Sequence, residues 1–580
     1  MSALDWAIVV LLNGSIIGFG LWLSRGVQSS ADWFLAGRAL PWWLVGISMY
    51  ATAIDSSDLV ADSGYTYNVG FSYFVANWVG ITGGWALAAY FIFLPMYRVG
   101  MYTNAEYLEA RFGASARVIC ALIQVQYRTL VVGIMSETVF LTLSIVGGWD
   151  PTSAWIAVVV IAVVASVYTA LGGLKSVAIT DSMQFVVMTI AAIIIWFVIY
   201  GQVGGWSGIK EKLSKQESET NLADSMLHIG HDNVSGSAAI DPNDSEAIGR
   251  EELSGGQYDP KAKKVVRRTS WWAVSIAFVI LGIGYSIVNH TQSMRMFGSK
   301  NEWNLKMCVF AAGMAMIIMT FFNLTMGIMG RALVPDVSTL PFERGDSIYP
   351  FLVREYTWIG LRGLVVAGIL AASFSTYDSI GSSLSALLTR DIYARFIKRD
   401  QSDRHYLVVG QWLVPLIIGI SFCYVPFLKS GMLSFYLELT SAFVTPLLTL
   451  FFMGTLTNVH RKSALIGLIV GAGYGMLRLW SPVVAKAYGF ALVPTFMANS
   501  FTAYPIAMAL TAGTMVLLSL IWGFEKVDLK GREKGAWLQS SQEQVQQLEE
   551  KEQAQPMWLP AVLAIFVVTL GMILSYVVFF

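Results

Sequence analysis

The residues Ala371-Ala372-Ser373-Phe374-Ser375-Thr376 sit inside an apolar stretch long enough to cross a bilayer. Small and hydroxyl side chains add little apolar contact there, but they let a helix come close to a small ion and offer it oxygen. Hard cations such as sodium take oxygen ligands. Within a membrane these are Ser and Thr hydroxyls and backbone carbonyls freed where a helix is broken. A second candidate set is acidic. Asp55, Asp58 and Asp62 share one helical face in another apolar stretch. Ionisable residues inside a membrane are costly and are read as functional. Carboxylates here would line an aqueous cavity, accept hydrogen bonds from a sugar or polyol, or pair with an amine. Arg128 falls near the middle of a further span, where it would meet a substrate carboxylate or pair with Glu137 or Asp181.

The elements that must position these groups are membrane helices. The chain has 580 residues, 55% hydrophobic and only 13% charged, where soluble domains are about a quarter charged. Apolar stretches of about 20 residues recur along it, which predicts an all-α polytopic protein of the lipid bilayer with about 14 transmembrane helices. The first stretch, 4–23, is as long as a span and lacks the basic start of a cleavable signal. Lys and Arg gather on alternate loops, which places those loops in the cytoplasm and both termini outside. The net charge is zero and no basic run points to nucleic acid. Cys120, Cys308 and Cys423 lie in or beside apolar stretches with no metal or disulfide spacing, and the five His form no metal-type cluster with the acids. No nucleophile–base pair stands out, so neither an enzyme nor an enzyme cofactor is expected. A channel would need a repeated pore loop, and none is seen.

Two polar inserts interrupt the spans. Residues 204–270, rich in Ser, Gly and Asp, read as a partly disordered extracytoplasmic loop. Residues 525–556 read as a cytoplasmic loop whose Gln/Glu-rich part, 539–555, suits a surface helix. The spans group as one leading helix, five, five and three trailing. The first helix of each five carries a polar or glycine interruption, Asp55-Ser56-Ser57-Asp58 in one and Gly282-Ile283-Gly284 in the other. Paired broken helices in two halves point to a transporter built from inverted repeats. The expected units are a leading helix (1–30), a first repeat (31–203), the polar loop (204–270), a second repeat (271–462), and trailing helices (463–580).

Three motifs in this order carry a family resemblance. They are Ala31-Asp32-Trp33-Phe34-Leu35-Ala36-Gly37-Arg38, then Gly172-Gly173-Leu174-Lys175-Ser176-Val177 through Thr180-Asp181-Ser182-Met183-Gln184, then Ser375-Thr376 followed by Thr389-Arg390-Asp391-Ile392-Tyr393. The chain resembles the sodium/solute symporter family, related to sodium/sugar and sodium/proline transporters. The resemblance implies a LeuT-type fold with two inverted five-helix repeats, and symport of a small organic solute (sugar, polyol, amino acid or related compound) into the cell, across the cell (inner) membrane, with sodium as coupling ion. The alternatives are proton coupling on the same fold, using Asp55, Asp58 and Asp378, or a transporter-like solute sensor.

Carried over residue by residue, the resemblance implies a sodium site at the carbonyls of Ala51, Ile54 and Ala372 and the hydroxyls of Ser375 and Thr376. A second cation would sit near Asp181, Asp378 and Ser379, where Asp378 departs from the serine of the family pattern. Solute contacts fall on Asp58, Asn77 and Glu438, none of which reproduces the sugar-binding pattern, with Tyr285 as an intracellular gate. The oligomeric state is not legible in the sequence.

Overall fold

Among the described residues of the computed structural model, 1–24, 30–216, 222–231, 233–239, 257–259, 264–526 and 555–580, twelve helices are long and apolar enough to cross a membrane. The argument below uses α1 (Ala3–Ser24), α2 (Trp42–Ala53), α3 (Ser56–Val69), α4 (Ala114–Ile145), α5 (Pro151–Val203), α6 (Trp271–Val288), α7 (His290–Phe297), α8 (Glu302–Leu333), α9 (Leu361–Leu387), α10 (Met432–Leu439) and α11 (Ser463–Tyr488). Helix α5, 53 residues long, turns sharply at Gly173, whose φ of 72° and ψ of 167° leave the helical region. A side chain at Gly173 would meet the Trp33 ring and backbone at about 3 Å, so two of the sequence motifs touch at this bend.

The break between α2 and α3 follows from local chemistry. Ile54 and Asp55 are extended, and the Asp55 carboxylate accepts from the Ser57 amide at 2.6 Å. Asp58 accepts in return from the Asp55 amide, also at 2.6 Å. This reciprocal capping box starts a new helix and leaves the carbonyls at the end of α2 without intrahelical partners. The second break does not lie at Gly282-Ile283-Gly284. It lies at Asn289, which is extended and caps α7 by accepting from Thr291 N at 3.1 Å. Gly282 serves close packing instead, as does Gly80 opposite it. A Cβ on Gly282 would stand 2.3 Å from the Ala76 carbonyl, and one on Gly80 2.8 Å from the Phe278 carbonyl. Small residues let membrane helices approach backbone to backbone.

The same device joins α8 to α3. A Cβ on Gly327 would lie 2.0 Å from the Ser63 carbonyl oxygen, while Thr66 Oγ1 donates to the Leu324 carbonyl at 2.8 Å. Gly327→Ala must push the two backbones apart. It is expected to cost more than the roughly 1–3 kcal/mol of ordinary overpacking, read as a lowered unfolding temperature in detergent.

Within the 204–270 insert, the described residues include two short helices and three strands. Gly205–Ser214 packs against α5 and α8, Leu222–Leu227 lies against Gly70, and the antiparallel strands β1 (Asn233–Ala239), β2 (Gln257–Asp259) and β3 (Lys264–Thr269) form a sheet in the order β1-β3-β2. Contact with the bundle stabilises the two short helices, which a reading of local composition cannot register. The surface helix expected at 539–555 falls almost wholly outside the described residues. Asp391, from the third motif, is structural: it accepts from Thr103 Oγ1 at 2.9 Å and from Arg117 Nε at 2.7 Å.

Between α8 and α9 the chain runs through residues 334–360, whose turn Gly345–Ser347 rests on α3. Asp346, in this turn, stands against Gly64 and accepts from Met432 N at 3.3 Å. Burial pushes its carboxyl up to about 6. The folded value lies above the ordinary one, so the fold prefers the protonated acid. Its contribution to stability is therefore fully present below about pH 4 and is lost as pH rises through about 6. Asp346→Asn keeps the acceptor and removes the charge. It is expected to flatten that decline in thermal unfolding followed across the window.

Candidate functional site

The carbonyl end of α2 faces α9. Ser375 Oγ lies 3.2 Å from the Ala51 carbonyl oxygen and donates to Asp181 Oδ1 at 2.6 Å. The next residue, Thr376, is fully buried and its hydroxyl has no hydrogen-bond partner. An unpaired buried hydroxyl is destabilising unless something else uses its oxygen. Two sequence-expected ligand positions, Ala51 and Ser375, thus meet. Ile54 and Ala372 are both buried, Ile54 where α2 ends and Ala372 one turn before Thr376 on α9. Ser373, on the same helix, instead donates to the Ile369 carbonyl within its own turn.

Beside this point runs a buried polar network. Asp181, on the second half of α5, accepts from Ser48 Oγ at 2.6 Å and from Arg295 Nη2 at 2.8 Å. The Arg295 guanidinium also donates to Ser48 Oγ at 2.7 Å, to Ser379 Oγ at 2.5 Å and to the Thr291 carbonyl at 2.9 Å. Ser379 in turn shares a hydrogen bond of 3.0 Å with Thr52 Oγ1. Arg295 therefore holds the place where a second cation was expected, between Asp181 and Ser379. Asp378 points elsewhere and accepts from Thr169 Oγ1 at 2.5 Å. Arg128, weighed as a partner of Glu137 or of Asp181, pairs with neither: Asp181 binds Arg295, and Glu137 binds Arg344 at 2.6 Å. Sequence reasoning assigned Arg295 to a loop. The signal that would have found it is its place within the seventh apolar stretch, 271–297, where a charge needs a buried partner.

A cavity opens from the α2–α3 break towards α4 and α6. It holds about 650 Å³ of space between atoms, the open solvent at its mouth included. Asp55, Asp58, Asp62, Asn77, Arg128 and Tyr285 all line it. Tyr285 closes one side by donating to the Thr52 carbonyl at 3.2 Å and accepting from Gln292 Nε2 at 3.1 Å. The Arg128 guanidinium lies over the rings of Tyr127 and Tyr285, 5.4 and 5.5 Å from their centres. Glu438 is not part of the lining, although Leu433 and Tyr436 of the same helix α10 are. Its carboxylate pairs with Arg478 of α11 and accepts from Ser500 Oγ at 2.5 Å. Its charge is matched from the trailing helices.

A polar junction at a broken helix thus lies next to a polar cavity. The sequence profile of the sodium:solute symporter family matches residues 33–471. The chain belongs to that family. It is a sodium-coupled solute symporter and not an enzyme. Among curated relatives, zebrafish (Danio rerio) sodium/glucose cotransporter 4 is 28% identical over 509 residues, covering 83% of this chain and 72% of the relative. Pig (Sus scrofa) sodium/glucose cotransporter 1 is 26% identical over 513 residues, covering 84% and 73%. Among solved structures, a Na+-coupled sialic acid symporter in a substrate-bound outward-open state superposes with a TM-score of 0.70 at 19% identity, covering 91% of this chain and 100% of that one. Mhp1, a nucleobase-cation-symport-1 family transporter in a closed conformation, gives 0.50 at 11% identity, covering 89% and 99%. These structural likenesses establish the LeuT-type fold of the symporter, with its paired broken helices.

Proposed function

We propose that one sodium ion binds between the end of α2 and the middle of α9, through the carbonyls of Ala51, Ile54 and Ala372 and the hydroxyls of Ser375 and Thr376. It drives entry of a small organic solute bound in the cavity at Asp58, Asn77 and Tyr285. The observation that carries the ion site is the partnerless buried hydroxyl of Thr376 next to the Ser375–Ala51 contact. Residues 31–203 and 271–462 form the two repeats that rock around these sites, flanked by 1–30 and 463–580. On this reading α5, divided at Gly173, counts as two spans and the broken pair α2–α3 as one more, which makes 14. The membrane is the cell (inner) membrane.

Sodium bound at this junction ties the broken second span to α9 and favours the state open to the outside. Solute then binds next to it, the outer side closes, and both leave past Tyr285 once its contact with the Thr52 carbonyl parts. Such coupling needs sodium to bind the two states unequally. Arg295 serves as a tethered cation at the position between Asp181 and Ser379, which leaves one mobile sodium per solute. Sugars are the reference solutes by the names of the curated relatives; amino acids and related compounds are the other class.

The test is solute binding to purified protein, read by intrinsic Trp fluorescence against sugars, polyols, amino acids, organic acids and amines in NaCl and in choline chloride. A solute response that requires sodium is expected. A response equal in both salts that grows as pH falls would move the coupling to protons and to Asp55, Asp58 and Asp378.

A further inference from the structure

The cavity has a basic side and an acidic side, and neither is held in an ion pair among the described residues, although Arg128 lies within electrostatic reach of Asp55. Arg128 is only 1% exposed, yet its Nε and Nη2 atoms have no hydrogen-bond partner, and among the described residues it makes no ion pair. The guanidinium lies over two tyrosine rings, and its Nε and Nη2 donors are left for something planar and anionic. A carboxylate fits that fork with two parallel hydrogen bonds. Asp55, Asp58 and Asp62 line the same space, and none of them has an ion-pair partner among the described residues. Asp55 and Asp58 each give an oxygen to the capping box at the start of α3, whereas the buried Asp62 Oδ2 has no partner. Asn77 adds a buried amide nitrogen that is also unpartnered.

We infer that the transported solute is a zwitterion, with its carboxylate on Arg128 and its ammonium on Asp58 and Asp62. The inference rests on this cavity being the solute site. A neutral sugar would offer its hydroxyls to the carboxylates but leave the Nε and Nη2 donors of the buried guanidinium without an anionic acceptor, which is costly. A simple carboxylate would leave the acids unmatched, and a simple amine would leave Arg128 unmatched. One molecule carrying both groups matches both sides at once.

The experiment uses the full-length protein in NaCl. Binding of proline, alanine and glycine betaine is compared with that of glucose, galactose, lactate and ethanolamine by intrinsic Trp fluorescence. At least one zwitterion should bind, and the neutral sugars should not. Arg128→Gln should weaken zwitterion binding by roughly thirtyfold or more, with Arg128→Lys in between. A fluorescence response to sodium alone confirms that each variant is folded. Binding of glucose or galactose that is unchanged in Arg128→Gln would overturn the inference, as would sodium-dependent binding confined to the other compounds. Zwitterion binding that is equal in choline chloride would sink the sodium reading and leave the solute class standing.

Discussion

Arg295→Gln is expected to cost about 3–5 kcal/mol of stability, because it leaves the buried Asp181 carboxylate without its counter-charge. Asp181 and Arg295 are both fully buried, 2.8 Å apart, and the pair is tied to α2 through Ser48 and to α9 through Ser375 and Ser379. The loss should appear as a lower unfolding temperature of the detergent-purified protein. Asp181→Asn combined with Arg295→Gln removes both charges and should recover much of that loss, as expected of a charge pair and not of a packing defect. The single variant also tests the tethered-cation reading. Wild-type solute binding should depend on sodium with a Hill coefficient near one. In Arg295→Gln the acid, still supplied with hydroxyl neighbours, gains room for a mobile cation, so the dependence on sodium should steepen. A wild-type dependence already steeper than one ion, unchanged in the variant, would return a second sodium to Asp181 and Ser379.

What the sequence made legible follows from how local each signal is. The spans were readable because crossing a hydrocarbon layer needs about 20 apolar residues in a row. The break after α2 was readable because Asp-Ser-Ser-Asp carries its own capping chemistry within four residues. The second break was misplaced because Gly282 and Gly284 look like helix breakers. The role of Gly282 is set by the Ala76–Ile81 backbone across the interface and Gly284 meets only the Val444 and Leu448 side chains, while Asn289 makes the break with one side-chain cap. Long-range pairing was the least readable. The partners of Asp181 and Glu438 are Arg295 and Arg478, and nothing near either acid in the chain names its cation. The motif residues Trp33 and Gly173 meet at the bend in α5, and Asp391 anchors Arg117. Part of the family pattern is thus architecture, not site.

Thr376→Val is expected to move stability and sodium binding in opposite directions. Valine has nearly the shape of threonine and lacks the hydroxyl. In choline chloride the native hydroxyl is a buried polar group without a partner, so its removal should raise the unfolding temperature, a gain of about 1 kcal/mol or more. In NaCl the same change removes an ion ligand. The stabilisation that sodium confers, which grows with the ratio of its concentration to its dissociation constant, should shrink. The double variant Ser375→Ala/Thr376→Ala should weaken apparent sodium affinity further, by roughly 100-fold for a loss near 3 kcal/mol. Ser373→Ala is the control: that hydroxyl bonds the Ile369 carbonyl within its own helix, so its loss should leave sodium dependence unchanged. Thermal unfolding in the two salts, with sodium titrations of solute binding, separates the outcomes. If Thr376→Val lowered stability equally in both salts, its hydroxyl would be serving the fold, and the ion would have to be sought away from α9.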